Sequence, residues 1–303
     1  MKLVYWIRGL KGAFVGLFFL TSQSAVFGSA VEEKKLSVVV SILPQAFIVE
    51  RIGGSHVSLE VLVKPGVSPA TYAPTPSQIQ TLSQADVYFH IGVPFENKFL
   101  PTIREMLPSL QIVDMRTNIE LREASAEHHE HHDHHDCAAV DGKDPHIWLD
   151  PHLVKIQAAT VSATLSEHLP EQRSVFEANL AQLESDLDAL DREIKAILGH
   201  FQGRSFFVFH PAYGYFADAY GLEQRAFEVE GKAPTPKQME DLIERARQNN
   251  IRALFVQPQF ATANAQVIAN EIGADLVFLD PLSKDYITNL REMAQRIAEG
   301  LDR

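Results

Sequence analysis

Cysteine is almost absent from this 303-residue chain: Cys137 is the only one, so no disulfide can form within it. Basic residues are also short, with 27 Lys and Arg against 39 Asp and Glu and a formal net charge of −12. That imbalance argues against nucleic acid or an anionic membrane as partner and favours cations. After residue 30 no apolar run is long enough to cross a bilayer. A His-Glu-x-x-His pair, the usual helix-borne motif of zinc hydrolases, is missing too. Gly and Pro are lacking over the whole of Glu171 to Leu198, so nothing there interrupts a helix.

What is present begins with a leader. Lys2, Arg8 and Lys11 precede the apolar run 13–20, and Gly28-Ser29-Ala30 supplies small residues where a signal peptidase cleaves. Residues 1–30 therefore read as a secretory signal peptide. No cysteine follows the apolar run, so a lipid anchor is not indicated, and a periplasmic location is expected. Without those basic residues the remainder is more acidic still.

The richest chemistry lies at 128–152. His128, His129, His131, His132, His134 and His135 are interspersed with Glu130, Asp133, Asp136 and Cys137. Imidazole, carboxylate and thiolate are zinc donors, and nothing apolar in this run builds a core. It reads as a His-rich loop, 126–137, that gathers divalent metal loosely, with a solvated surface run as the bland alternative. Beyond it, Asp144-Pro145-His146 and Asp150-Pro151-His152 are two turns around the apolar triplet Ile147-Trp148-Leu149. Such bracketing holds His146 in one place, although a lone His beside an Asp-Pro turn is more often structural.

Apolar runs and helical periods alternate along the rest. Strands are expected at 36–42, 57–63, 85–90, 111–113, 205–209, 225–229, 253–257 and 275–279. Helices are expected at 44–52, 75–82, 96–106, 152–169, 211–220, 235–248, 261–272 and 284–301. Alternation of this kind makes parallel sheets flanked by helices. Between the halves, Phe176, Leu180, Leu183, Leu187, Leu190, Ile194 and Ile197 recur at alternating spacings of four and three. They mark one long helix, with a coiled-coil dimer as the alternative use of so narrow a seam. Ala73-Pro74-Thr75-Pro76-Ser77-Gln78 returns as Ala233-Pro234-Thr235-Pro236-Lys237-Gln238, each a capping box with Pro at the first helical position. The fold class is therefore α/β: two similar parallel-sheet domains bridged by one long rigid helix, with a metal cleft between them. The limits are 31–170 for the N-terminal domain, 171–200 for the bridging helix and 201–303 for the C-terminal domain.

Open parallel sheets bind ligands beyond the carboxyl ends of their strands. His90, His210 and Asp280 end strands in this reading, and His146 follows the fourth strand through the His-rich loop. Two imidazoles and a carboxylate make a plausible zinc shell. Glu228 and Glu230 are outside candidates.

These residues lie in motifs that resemble the solute-binding components of bacterial ABC importers for zinc and manganese. The motifs are PGVSPATYAPTPSQ (65–78), the His-rich loop, DPHIWLDP (144–151), FHPAYGYFADAYGL (209–222) and FLDPL (278–282). The resemblance implies two four-stranded lobes on a rigid helix, metal bound between them, little closure, and His146, His210 and Asp280 as ligands. It departs at one point. The family's first ligand is usually a His after the Pro of an SPH pattern, and Ala70 stands there. Water or His90 is the expected replacement. Imidazole at His210, where manganese-type members tend to carry a carboxylate, favours zinc. The expected function is that of a periplasmic binding protein, not an enzyme, which captures Zn²⁺ and delivers it to an ABC permease. It is expected to act as a monomer, with no nucleic-acid partner. Alternatives are a secreted zinc-dependent hydrolase, a binding protein for manganese or another cargo, and a host-interaction adhesin.

Overall fold

A computed structural model describes residues 35–124, 142–227, 235–248, 251–260 and 262–302. The leader, the His-rich run with Cys137, Glu228 and Glu230, and the first two residues of the second Ala-Pro-Thr-Pro segment lie outside the described residues.

Four parallel strands build the N-terminal sheet: β1 (Leu36–Val40), β2 (Val57–Val61), β3 (Val87–His90) and β4 (Gln111–Asp114), in the order β2-β1-β3-β4. Val38, Val39 and Val40 are fully buried, as expected of a strand covered on both faces. Helices α1 (Leu43–Gly53), α2 (Pro76–Ser83) and α3 (Glu96–Met106) connect the strands. The capping box expected on α2 forms, with Gln78 N donating to Thr75 Oγ1 at 3.3 Å and Thr75 N to Gln78 Oε1 at 3.0 Å. After β4 the chain passes through residues 115–124 and, beyond the undescribed stretch, a 3-10 turn, Ile147–Leu149, into α4 (Pro151–His168).

Helix α5 (Arg173–Leu198) has 26 residues and so runs about 39 Å. Phe176, Leu183, Leu187, Leu190 and Ile194 are buried within this one chain, because α5 packs on α1 and α4 from one half and on the last helix from the other. The narrow seam is thus used internally, and a coiled-coil partner is not needed to cover it.

The second sheet repeats the first. Strands β5 (Ser205–Val208), β6 (Glu223–Ala226), β7 (Ala253–Val256) and β8 (Asp275–Phe278) are parallel in the order β6-β5-β7-β8. They alternate with α6 (Gly214–Tyr220), α7 (Pro236–Gln248), α8 (Thr262–Ile272) and α9 (Tyr286–Leu301). Two elements differ from expectation by three residues at one end, the others by two at most. Helix α6 starts at Gly214 rather than Pro211, because residues 210–212 form a tight turn, with Ala212 N donating to His210 O at 2.9 Å. Strand β6 starts at Glu223 rather than Arg225. It is a polar edge strand, Glu-Gln-Arg-Ala, so its pairing with Ser205–Val208 carries no apolar signature.

Between the halves the contacts are both apolar and polar. Phe47 of α1 stacks on Tyr286 of α9 at 5.0 Å, and Trp148 Nε1 donates to Pro281 O at 2.7 Å. One buried apolar cluster runs through both halves, from Val38 through Leu187 to Phe255 and Ile297.

Candidate metal site between the sheets

His146 is presented by its own turn. Pro145 restricts Asp144 to extended backbone, and Asp144 Oδ1 accepts from His146 N at 3.0 Å and pairs with its Nδ1 at 2.7 Å. An ionised carboxylate only accepts, so Nδ1 carries the proton and Nε2 is left as the electron-pair donor. The buried triplet Ile147, Trp148 and Leu149 anchors the turn from below.

His210 comes from the other sheet, just beyond β5. Gln257, at the end of β7, secures its backbone: Gln257 Nε2 donates to His210 O at 2.8 Å, and His210 N donates to Gln257 Oε1 at 3.4 Å. The His210 ring stacks on Phe260 at 4.8 Å and meets His146 at 5.4 Å, the two imidazoles inclined at 71°. Both line a partly open cavity of about 50 Å³ with Ser68, Pro69, Ala70, Trp148, Gln259 and Phe260. Such a space accommodates an ion or water. Ala70, the position where the resemblance led one to look for a first ligand, lines this cavity and contributes no donor.

Asp280 lies beyond β8. Its Oδ1 accepts from Gln259 Nε2 at 2.6 Å and from Leu282 N at 3.0 Å. It lines a smaller adjoining cavity with Lys64, Pro65, Gly66 and Gln259, so Gln259 and Leu282 stand between the two spaces. Tyr213 donates its hydroxyl to Leu279 O at 3.0 Å, and burial, then the nearby Asp280 charge, hold its pKa far above the usual phenol range. It remains a neutral donor. Among the described residues, no three His, Cys, Asp or Glu side chains are gathered as a metal shell. The histidine pair is brought together; Asp280 is next door and held by Gln259.

His90 is elsewhere. It is 2% exposed inside the N-terminal half and does not line the cavity, contrary to the expectation that it replaces the ligand missing at Ala70. Its Nδ1 is 3.8 Å from Glu96 Oε2 and its Nε2 4.0 Å from Asp114 Oδ2. Glu96 is pinned in turn by Ile91 N at 3.2 Å, Gly92 N at 2.5 Å and the Ser41 hydroxyl. The loop after β3 is therefore tied to the start of α3, beside the imidazole.

The segment flanking the His-rich run is tied to the same site. Glu123 and Lys143 form an antiparallel bridge, with Ala124 N donating to Gly142 O at 2.9 Å. Arg122 Nη1 donates to Gly214 O at 2.9 Å and pairs with Asp218, while Tyr215 Oη donates to Asp144 O and accepts from Arg122 N, both at 2.9 Å. Burial, chiefly, pushes the Tyr215 pKa up to about 12, so this phenol keeps its proton. Gly214 permits the approach: a Cβ there would lie 3.0 Å from Asp144 Oδ2.

Sequence reasoning missed Asp144, Gln259 and Phe260. The Asp two residues before a fixed His was a usable signal for the first. Gln259 was readable only as a polar residue just past a strand bordering the β5–β7 switch point.

Two like-wound sheets on one through-running helix, with imidazoles from separate halves meeting between them, define a two-lobed α/β binding protein. The model of the family described as zinc-uptake complex component A, periplasmic, matches residues 38–300, and the chain belongs to that family. Its members are substrate-binding components of metal ABC transporters of the zinc or manganese type; such proteins face the periplasm or the exterior, bind a divalent metal ion, work with a membrane permease and are not enzymes. A high-affinity zinc uptake system protein ZnuA of Yersinia pestis is 30% identical over 83% of this chain and 84% of its own length. A putative metal-binding protein of Chlamydia trachomatis is 27% identical over 93% of this chain and 97% of its own. A crystal structure of ZnuA, 38% identical, superposes with a TM-score of 0.80 over 88% of this chain and 99% of that one. Among the described residues no helix is long and apolar enough to cross a membrane.

Proposed function

We propose that this protein captures Zn²⁺ in the cleft between its two lobes and delivers it to an ABC permease for high-affinity import. The observation that carries the reading is the meeting of His146 and His210 at 5.4 Å in one cavity, from separate parts of the chain. Nε2 of His146 and the imidazole of His210 donate nitrogen, and Asp280 donates carboxylate oxygen from the adjoining space. Two imidazoles suit zinc better than manganese. The binding step makes and breaks no covalent bond. Asp144 supports it by fixing the His146 tautomer, a role that carboxylates commonly play behind metal-bound histidines. Residues 1–30 direct secretion and are removed, the mature protein works in the periplasm as a monomer, and the His-rich run 126–137 is a low-affinity collector.

The test is calorimetric titration of metal-free protein with Zn²⁺ and Mn²⁺, for the parent, His146→Ala, His210→Ala and a deletion of 126–137. One tight zinc site is expected, lost in either point variant and kept in the deletion. Tight binding that survives both substitutions but disappears with the deletion overturns the cleft assignment. Binding should also weaken on acidification, because protons compete with metal for imidazole nitrogen.

A further inference from the structure

Gln259 is shared by both cavities, the one with His146 and His210 and the one with Asp280. It follows β7 closely, on the border between the two halves of the site. Its amide orientation is set by chemistry: Asp280 Oδ1 is an acceptor, so the group 2.6 Å from it is the Gln259 NH₂. The other end is therefore the carbonyl, Oε1, which is buried and receives no hydrogen bond from the described residues. Buried carbonyl oxygens are seldom left so, because removal from water without a partner is costly. Ala70 lines the same cavity and offers only a methyl group.

We propose that Gln259 is a metal-binding residue of this cleft: its Oε1 supplies a neutral oxygen donor beside His146, His210 and Asp280, in place of the donor that Ala70 lacks. Amide carbonyl oxygens are established ligands for divalent cations, and zinc accepts oxygen donors in mixed shells. The same side chain has a second task, since its NH₂ holds the Asp280 carboxylate beside the histidine pair. A shell of two nitrogens and two oxygens is harder than one with three imidazoles. The preference for zinc over manganese should accordingly be narrower than in a three-histidine site.

This proposal rests on the zinc-capture reading, and its test separates the two. Zn²⁺ is titrated into the full-length mature protein carrying Gln259→Leu, Gln259→Ala or Gln259→Glu, with His146→Ala alongside and folding checked by circular dichroism. Leucine removes both the oxygen donor and the N–H, and glutamate keeps an oxygen while losing the N–H. Gln259→Leu is expected to weaken zinc binding at least tenfold, and Gln259→Glu to bind at least as tightly as the parent. Should the leucine chain fail to fold, Gln259→Ala gives the same comparison in a smaller side chain. Unchanged affinity without the amide overturns the proposal. So does a glutamate variant as weak as the leucine variant, which would mean that Gln259 acts only by holding Asp280. Zinc-edge absorption of the parent should count two imidazoles, and a count of three also overturns it. Parent-like binding by His146→Ala, by contrast, would sink the cleft reading itself.

Discussion

The two lobes have the same strand order but opposite treatments of a strand-end histidine. In the N-terminal lobe His90 ends β3 and is buried, and the Ile91 and Gly92 that follow are both held by Glu96. In the C-terminal lobe His210 follows β5, and Gln257 bonds its backbone while the ring faces the cleft. Each switch point uses a fully buried glutamine to tie down backbone, Gln45 at Ser41, Ile42 and Phe89 in one lobe and Gln257 in the other. What differs is the setting of the ring. Glu96 accepts from the loop after β3 and lies beside the buried His90 imidazole, whereas the His210 imidazole lines the cavity between the halves. Winding brings a side chain to the edge of a sheet; the next few residues decide whether it faces solvent or core.

This contrast can be broken experimentally, since substitutions in one lobe should move affinity and those in the other stability. Glu96→Ala should have the largest effect: it strands two backbone N–H groups and takes from the Ser41 hydroxyl one of its two partners, leaving Tyr88, and should lower unfolding free energy by about 3–5 kcal/mol. Urea unfolding would read that loss, and zinc affinity per folded molecule should stay unchanged. His210→Ala should do the reverse, weakening zinc binding by more than about 100-fold, roughly 2.7 kcal/mol, with little change in the urea midpoint. Asp144→Asn comes next, at about tenfold weaker binding in calorimetry, since the tautomer of His146 is then less firmly held. His90→Ala should leave zinc affinity within a factor of two, because the ring lies outside the cavity. Any larger loss would return His90 to the site. Lys284→Ala removes an exposed pair with Glu50 that links α9's approach to α1. Its effect on thermal stability should be about 0.5 kcal/mol or less.

Much of the fold could be read from periodicity. The valines of β1, the seam of α5 and the capping box of α2 are local patterns, and local patterns survive folding when the tertiary environment agrees with them. Strand β6 could not be read that way, because an edge strand need not be apolar. The start of α6 was misplaced because Pro211 looks like a first helical residue, whereas it belongs to the turn that exposes His210. The site was legible to a lesser degree. His146 and His210 are brought together, and no residue-by-residue pattern could have told that His90 is covered or that Gln259 separates Asp280 from the histidines. Those facts depend on loop paths and on hydrogen bonds between residues far apart in sequence.

The bridge at Glu123 and Lys143, locked to α6 through Arg122, Asp144 and Tyr215, works as a fixed socket. Whatever is plugged in between residues 124 and 142 begins and ends at the same two points. Because closure entropy rises only logarithmically with loop length, that interval can lengthen, shrink or be exchanged for another sequence at small thermodynamic cost. The histidine content there is thus free to drift or to be re-engineered, as a cassette, while the imidazole three residues past the socket keeps its aim.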